Sequence, residues 1–319
     1  MSWSWIVDLG AWWNNAGMNA KEQQMNKQQP MSGGAWRMIA AMALSGTIGW
    51  FVVTSGQSPI DVVFFRCLFG GAALLGALTL QRGWVRMDRA RLGWLALGGV
   101  TLILNWLCLF SAYSYSGISV ATVVYHTQPF FLLILTAVFQ REPFPFARLP
   151  WLLLAFAGVV LITGLDHGAS GGGMMVGIGL AMLAALLYAI TTMATRRLQG
   201  IAPGQIAGLQ MVLGVLMLAP LAHPAVSTFD GRTWGALLAL GLVHTGVMYT
   251  LLYGAFQRLN VVSIATLSFV YPLVAIVIDV TVFHVVLSPL QLAGMALVLL
   301  GVIANQLGWS VPMRIRARG

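Results

Sequence analysis

The sequence is poor in charged residues for its length. Only 8% of its 319 residues are Asp, Glu, Lys or Arg, whereas 59% are apolar and the mean hydropathy is +0.84. A soluble domain carries about 25% charged residues, so this chain has too few of them to cover its surface in water. The shortage excludes a large soluble domain and indicates an all-α integral membrane protein.

Cysteine is scarce as well, and both cysteines, Cys67 and Cys108, fall inside apolar segments. Neither has Cys or His neighbours at the spacing of a zinc site. Within the hydrophobic runs the sequence contains neither an HExxH nor a GxSxG motif, and no paired carboxylates lie at membrane depth. We therefore expect no metal, no cofactor and no enzymatic activity.

Ten hydrophobic runs divide the chain, each close to the length of a membrane-spanning helix. They lie at roughly 36–55, 60–80, 92–115, 119–139, 148–164, 174–195, 204–222, 233–256, 261–284 and 288–310. Loops are short and there is no room for a soluble domain. The segment 1–35 is a Trp-rich tail, interpreted either as an interfacial helix or as an extension upstream of the working start, and 311–319 is a basic tail.

The positions of Lys and Arg predict the orientation. With the N-terminus in the cytoplasm, fifteen of the 17 basic residues fall on the inside, Arg232 alone falls outside, and Arg66 lies within the second helix. Cytoplasmic loops carry such an excess, so both termini of this multi-pass membrane protein are predicted to be cytoplasmic. Because the basic residues are spread between apolar segments, the net charge of +9 does not indicate a nucleic-acid partner.

Several landmarks recur at an offset of 143 or 144 residues. They are Pro59 with Pro203, Ser119–Thr122 with Ser263–Thr266, Pro129 with Pro272, and Gly158 with Gly301. The chain is thus predicted to contain two homologous five-helix repeats, 36–170 and 171–310. Since five crossings per repeat is an odd number, the second repeat must insert in the opposite orientation. Inverted repeats are typical of secondary transporters with a substrate site between the halves; a duplication kept for stability alone, or a repeat-built channel, are the alternatives.

Short motifs give a family resemblance. Pro59 and Phe65-Arg66 resemble a second-helix signature of the EamA-type drug/metabolite transporter superfamily, and Pro129, Glu142-Pro143 and 157–164 are similar to its later pattern. The resemblance extends over about residues 36–310. It implies export of small molecules, and in overall texture the chain is most similar to exporters of amino acids, in particular aromatic ones, in the bacterial inner membrane. The resemblance thus implies a location in a bacterial inner membrane.

Two aromatic helix faces are predicted to form the walls of one central cavity. Trp106, Phe110 and Tyr113 share a face of the third helix, and Tyr249 and Tyr253 share a face of the eighth. Subtracting 143 from Tyr249 and Tyr253 gives Trp106 and Phe110, so the two faces are repeat-equivalent. Ordinary helix packing is the alternative interpretation of each residue taken singly.

Further polar and aromatic residues complete the predicted cavity. They are Trp50, Asn105, Thr122, Tyr125, His126, Tyr188, His244, Ser268 and Tyr271. Pro129 and Pro272 are predicted hinges, because a proline within a helix removes one backbone hydrogen bond. Aromatic walls with few polar groups suit a small amphipathic substrate, such as an aromatic amino acid.

Ionisable residues bear on the coupling. Asp279, in the outer third of its run, is the only carboxylate inside a hydrophobic run and away from its edges, so a proton relay of carboxylates at mid-membrane depth is not expected. Arg66 needs a partner in the membrane, and we expect a structural or gating ion pair with Asp279 or, failing that, Asp61. A role for Arg66 in holding a substrate carboxylate is the weaker interpretation, because its depth places it away from the midplane.

The sequence thus predicts a secondary transporter that exports small amphipathic metabolites by alternating access. Its partners are a small-molecule substrate and membrane lipid, and a monomer is favoured. Alternatives are export of drugs or other metabolites on the same fold, a lipid or nucleotide-sugar carrier, and an intramembrane enzyme. Lipid and nucleotide-sugar substrates carry phosphates and should require several basic residues inside the cavity, whereas Arg66 is the only basic residue inside a run and away from its edges.

Overall fold

The structure, a computed structural model, describes residues 33–163, 172–274, 277 and 288–309. Throughout these residues the secondary structure is helical, with no strand. The helices are α1 Gly33–Ser45, α2 Ile48–Ser55, α3 Pro59–Leu80, α4 Arg89–Tyr125, α5 Gln128–Phe139, α6 Leu149–Thr163, α7 Gly172–Arg196, α8 Pro203–Leu218, α9 Gly231–Leu238, α10 Met248–Phe256, α11 Val261–Leu267 and α12 Pro289–Gln306. A π-helical segment, Ala239–Val247, joins α9 to α10.

Seven segments of the described chain have the length and composition to cross a membrane. They are Gly33–Ser55, Pro59–Leu80, Arg89–Ser116, Val120–Phe139, Gly173–Arg196, Gly231–Phe256 and Pro289–Gln306. Three shorter apolar helices lie between them, at Phe146–Leu161, Pro203–Leu218 and Val261–Val274. The protein is therefore a multi-pass membrane protein, and ten crossings remain a prediction.

Polar side chains cap the N-termini of several helices, where the apolar runs begin. Ser58 accepts a hydrogen bond from the Asp61 amide, with Pro59 in the first turn, and Asp88 caps α4 in the same way. Asp230 caps α9, and the hydrogen bond from the Thr233 amide lowers the pKa of its carboxyl. The caps satisfy backbone donors where the chain enters each helix.

Helix packing follows the repeat. Three helices of the first repeat pack against their own equivalents in the second: α3 on α8, α5 on α11 and α6 on α12. Other contacts cross over, and the most extensive of them between α-helices join α1 to α10 and α4 to α7. Exchanging the two repeats leaves this set of contacts unchanged, as pseudo-two-fold symmetry requires.

The α6–α12 contact shows the symmetry at atomic detail. A Cβ on Gly158 would lie 2.6 Å from the carbonyl oxygen of Gly294, and a Cβ on Gly301 would lie 2.6 Å from that of Trp151. Gly158 and Gly301 are repeat equivalents, and so are Trp151 and Gly294. Glycine is needed at both positions because each helix backbone fills the space where the other would place a side chain.

The predicted boundary at Gly117 differs from the structure. Helical backbone continues from Arg89 to Tyr125, and the interruption lies instead at His126 and Thr127. The tails 1–32 and 310–319, the loop with Asp166, and Asp279 lie outside the described residues.

Candidate substrate cavity

Three helices are interrupted in the middle of the described bundle. The helical backbone stops at Ser45 and resumes at Ile48; it stops at Tyr125 and resumes at Gln128; it stops at Leu267 and resumes at Val270. Non-helical backbone at membrane depth is tolerated where it borders a cavity or is buried in protein. The three interruptions therefore point to a site inside the bundle.

The prolines account for two of the interruptions. Pro129 provides no N–H for the carbonyl of Tyr125, four residues earlier, and Pro272 provides none for the carbonyl of Ser268. Tyr125 and Ser268 are repeat equivalents, so both halves break their helix at the same place. Hinge motion at these prolines stays a prediction.

A cavity of about 660 Å³, counting its open side, borders all three interruptions. Both repeats contribute to its walls. The lining residues are Met42, Ser45, Ile48, Arg66, Trp106, Leu109, Phe110, Tyr113, Tyr125, His126, Gln128, Pro129, Tyr188, Met248, Tyr249, Ser268 and Tyr271. Its walls are mainly aromatic and apolar, as ligand sites usually are.

Nine of the fourteen residues predicted to line the site do lie on this cavity. They are Trp106, Phe110, Tyr113, Tyr125, His126, Tyr188, Tyr249, Ser268 and Tyr271. Aromatic contacts connect them: the ring centroids of Tyr125 and Tyr188 are 5.9 Å apart, and those of His126 and Tyr271 are 5.2 Å apart. The structure thus brings predicted residues from both halves into one site.

The two equivalent residues Trp106 and Tyr249 touch each other. The Trp106 Nε1–H donates to the Tyr249 hydroxyl at 3.1 Å, and the rings meet edge to face with centroids 5.5 Å apart. His126 and its equivalent Phe269 also stack, at 6.1 Å. Equivalent residues meet only near the axis that relates the repeats, so the cavity lies on that axis.

Three of the remaining predicted residues support the cavity wall from behind. Asn105 Nδ2 donates to the Ala184 carbonyl at 2.7 Å and to the Tyr125 hydroxyl at 3.3 Å, which positions the Tyr125 ring. The Thr122 carbonyl lies 2.6 Å from His126 Nδ1, so that nitrogen carries a proton. His244 lies 2.5 Å from Thr47 through Nε2 and 3.0 Å from the Ala239 carbonyl through Nδ1.

The last two predicted residues lie off the cavity. Trp50 is 42% exposed, and the residues of its segment that line the cavity are Met42, Ser45 and Ile48. Tyr253 is fully buried, and its hydroxyl donates to Gln210 Oε1 at 2.5 Å. Both residues are aromatic, as predicted for the cavity wall, but neither lies on the cavity.

Arg66 lies on the cavity wall, although its predicted depth placed it away from a substrate at the midplane. Its side chain is completely buried, with the guanidinium carbon 4.0 Å from the centroid of the Trp106 ring. The expected ion pair with Asp61 is not formed: Asp61 Oδ2 accepts from the Ser58 hydroxyl at 2.7 Å. The pair with Asp279 falls outside the described residues.

Sequence reasoning missed six other lining residues. They are Met42, Ser45, Ile48, Leu109, Gln128 and Met248. Gln128 is the equivalent of Tyr271, and Ser45 of Tyr188, so the repeat offset was a signal that would have found both. The apolar residues gave no signal, because similar side chains also face lipid.

A helical membrane protein with a cavity on the axis between two sequence repeats has the architecture of a secondary transporter. The chain belongs to the EamA-like transporter family, whose sequence profile matches residues 31–164 and, a second time, residues 175–305. Both repeats are therefore EamA domains, and the protein is a transporter rather than an enzyme.

Curated relatives agree with this family. The chain is 32% identical over 254 residues to "Uncharacterized transporter YxxF" of Bacillus subtilis (strain 168), covering 77% of this chain and 80% of that protein. It is 30% identical over 189 residues to "Pseudopaline exporter CntI" of Pseudomonas aeruginosa (strain UCBPP-PA14), covering 57% of this chain and 63% of the exporter.

A solved structure, described as "Crystal structure of protein", shares the fold. It superimposes with a TM-score of 0.74 at 21% identity, over 86% of this chain and 96% of that one. At this identity the likeness concerns the fold alone.

Proposed function

We propose that this protein exports small amphipathic metabolites, with aromatic amino acids as its first candidates, from the cytoplasm of a bacterium across the inner membrane. The observation that carries the proposal is the central cavity, which both repeats line with aromatic rings and a few hydrogen-bonding groups. A flat apolar substrate stacks on such rings, while Ser45, Gln128 and Ser268 offer partners for its polar end.

We further propose ten membrane crossings in two inverted repeats, with both termini in the cytoplasm. The three shorter apolar helices complete the count. The bias of Lys and Arg supports the orientation. Rocking of the two halves about the prolines at positions 129 and 272 then exposes the cavity to each side in turn.

Transport in this proposal needs no carboxylate proton relay. No carboxylate lies on the cavity wall in the part of the chain that the structure describes. Mid-membrane carboxylates are the usual proton carriers of coupled transporters. A substrate moving down its own gradient requires none.

Pseudopaline is a second candidate substrate, because it names the exporter of Pseudomonas aeruginosa that shares 30% identity with this chain. This relationship also favours export as the direction of net flux. Both candidates are metabolites, so one experiment can compare them.

The experiment uses proteoliposomes preloaded with a panel of amino acids, with pseudopaline and with a cationic drug, each with and without a pH gradient. We expect efflux of aromatic amino acids that does not need the gradient. Efflux of pseudopaline and of no amino acid would make pseudopaline the substrate instead of aromatic amino acids. Movement of the drug and of no amino acid would overturn the proposal.

A further inference from the structure

The Arg66 guanidinium has unused hydrogen-bonding capacity inside the protein. Nε donates to Thr245 Oγ1 and Nη2 donates to the His244 carbonyl, both at a long 3.3 Å. Nη1 is buried and has no hydrogen-bond partner. A buried donor of a charged group is costly when left unpaired, so this nitrogen calls for an explanation.

No carboxylate among the described residues compensates the charge of Arg66. Asp88 and Asp230 cap the exposed starts of α4 and α9. Glu142 pairs with Arg196 at 2.9 Å, and Asp61 bonds to Ser58. An unpaired cation in a low-dielectric site attracts an anion strongly.

Trp106 holds this cation beside a second donor. The guanidinium lies over the indole ring at 4.0 Å, and the indole nitrogen donates to the Tyr249 hydroxyl. Because the Tyr249 oxygen accepts that bond, its own proton is available for another acceptor. All three residues line the cavity, and the indole of Trp106 contacts both the Arg66 guanidinium and the Tyr249 hydroxyl.

The other repeat has a neutral residue at the position equivalent to Arg66. The equivalent of Arg66 is Gln210, offset by 144 residues, which is also completely buried. Its amide accepts from the Tyr253 hydroxyl at 2.5 Å and donates to the Leu95 carbonyl at 3.5 Å. A neutral amide fills that place and lies off the cavity, whereas the charged residue faces the cavity.

We propose that Arg66 Nη1 and the Tyr249 hydroxyl bind a carboxylate of the transported molecule. The substrate class is then an aromatic or apolar compound with a carboxylate, whether anionic or zwitterionic, and an amine without a carboxylate is excluded. Charge-assisted hydrogen bonds of this kind give both affinity and direction. This inference rests on the proposed export function and specifies which metabolites the cavity accepts.

The test compares three compounds with the same phenyl ring: L-phenylalanine, 3-phenylpropionate and phenethylamine. They carry both charged groups, the carboxylate alone and the ammonium alone. Counterflow in proteoliposomes and the thermal shift of the purified protein are measured for each. We expect the wild type to prefer the two carboxylates over phenethylamine roughly tenfold or more, as one hydrogen bond to a charged group provides.

Arg66→Gln installs the residue that the other repeat uses at this position, and should fold. We expect its preference for the two carboxylates over phenethylamine to fall roughly tenfold or more. Arg66→Lys keeps the charge and should retain part of this preference. Arg196→Gln is the matched control, because it makes the same chemical change at the Glu142 ion pair, away from the cavity lining. Its preference should equal that of the wild type.

Three outcomes would contradict the inference. One is a wild type that accepts phenethylamine as well as the two carboxylates, which leaves export of amphipathic compounds intact. Another is an equal loss for all three compounds in Arg66→Gln, which indicates a structural role. A third is a wild-type thermal shift that shows no carboxylate preference. If carboxylate-dependent thermal shifts occur without any counterflow, the site stands and the proposed export function fails.

Discussion

The two repeats place equivalent aromatic layers in different surroundings. In the first repeat Phe110 and Tyr113 line the cavity. Their equivalents, Tyr253 and Phe256, are 0% and 1% exposed and lie off it. Below this second layer, Gln257 Nε2 donates to the carbonyls of Leu198 and Ile201 at 3.1 and 2.9 Å.

The difference teaches how a symmetric sequence produces an asymmetric state. One layer is packed shut while its equivalent borders open space, so the two repeats hold the same motif in different conformations. Under alternating access, the first layer would adopt the packing that Tyr253 and Phe256 now show, and the second layer would open.

The largest expected effect is on thiol reactivity at the two layers. Tyr113→Cys and Phe256→Cys are made separately in a background of Cys67→Ala and Cys108→Ala. The thiol at position 113, on the cavity, should react with a maleimide roughly tenfold or more faster than the thiol at position 256, in the sealed layer of Tyr253 and Phe256. Only transient opening of that layer exposes position 256. Labelling rates of the detergent-solubilised protein give the comparison.

Tyr115→Cys provides the reference for a freely accessible thiol, since Tyr115 is 52% exposed. Denaturant gives the total number of reactive thiols in every variant. Equal rates for the positions 113 and 256 would mean that the two layers do not differ in solution.

The next effect in size concerns the contact that is the same in both halves. Gly158→Ala and Gly301→Ala each place a methyl group against the facing backbone carbonyl, which costs about 1–3 kcal/mol as overpacking. Because the contact is reciprocal, the two variants should lose similar thermal stability. Differential scanning fluorimetry in detergent measures the loss.

Gly76→Ala and Gly179→Ala are the matched controls. A Cβ at either glycine meets no atom within 4 Å, and alanine favours a helix over glycine by roughly 1 kcal/mol. These variants should be as stable as the wild type or slightly more so. A loss of stability in only one of the variants Gly158→Ala and Gly301→Ala would contradict the symmetric packing of α6 on α12.

A smaller effect is expected from weakening the sealed layer. Gln257→Ala removes both hydrogen bonds to the carbonyls of Leu198 and Ile201, each with a net value of about 0.5–1.5 kcal/mol. The Phe256→Cys thiol should then react several-fold faster. Ser114, the equivalent of Gln257, is exposed, so Ser114→Ala should leave that rate unchanged. A rate unaffected by Gln257→Ala would show that these bonds do not hold the layer shut.

The sequence predicted the parts of this comparison that symmetry determines. The offset of 143 identified Trp106 and Tyr249 as equivalents, and repeats that fold alike bring such residues together on their axis. It also predicted Tyr253 as a cavity residue, which the structure places off the cavity. Two equal faces do not reveal which half is closed, because closure is a property of the conformation and not of the pattern.

Arg66 and Trp50 were misplaced for different physical reasons. Distance along α3 suggested that Arg66 lies far from the midplane, but the cavity extends toward it and Trp106 holds its guanidinium. Ile48 of α2 lines the cavity, and Trp50 follows it by two residues. Two residues along an α-helix turn a side chain to the opposite side of the helix, so Trp50 points away from the cavity.

The smallest effect is expected at a polar pair that the repeats build with different residues. Thr47 Oγ1 lies 2.5 Å from His244 Nε2, and the equivalent pair, Thr191 and Thr101, has its hydroxyl oxygens 2.8 Å apart. His244→Thr therefore copies into one half what the other half already uses. We expect transport within about twofold of the wild type and a stability change of about 1 kcal/mol or less, the net value of one hydrogen bond.

The same variant tests whether His244 carries protons. Transport and thermal stability of the wild type and His244→Thr are measured from pH 5 to pH 8, the range in which histidines titrate. Thr47→Val is the control that removes the partner and keeps the imidazole, so it should cost more stability than His244→Thr, about 1–3 kcal/mol for an unpaired buried nitrogen. Matching pH profiles for the wild type and His244→Thr are expected, because the Thr101–Thr191 pair serves the other half without a titratable group. A pH dependence that disappears only with the imidazole would instead make His244 the coupling residue, and the difference between the two pairs would then be functional.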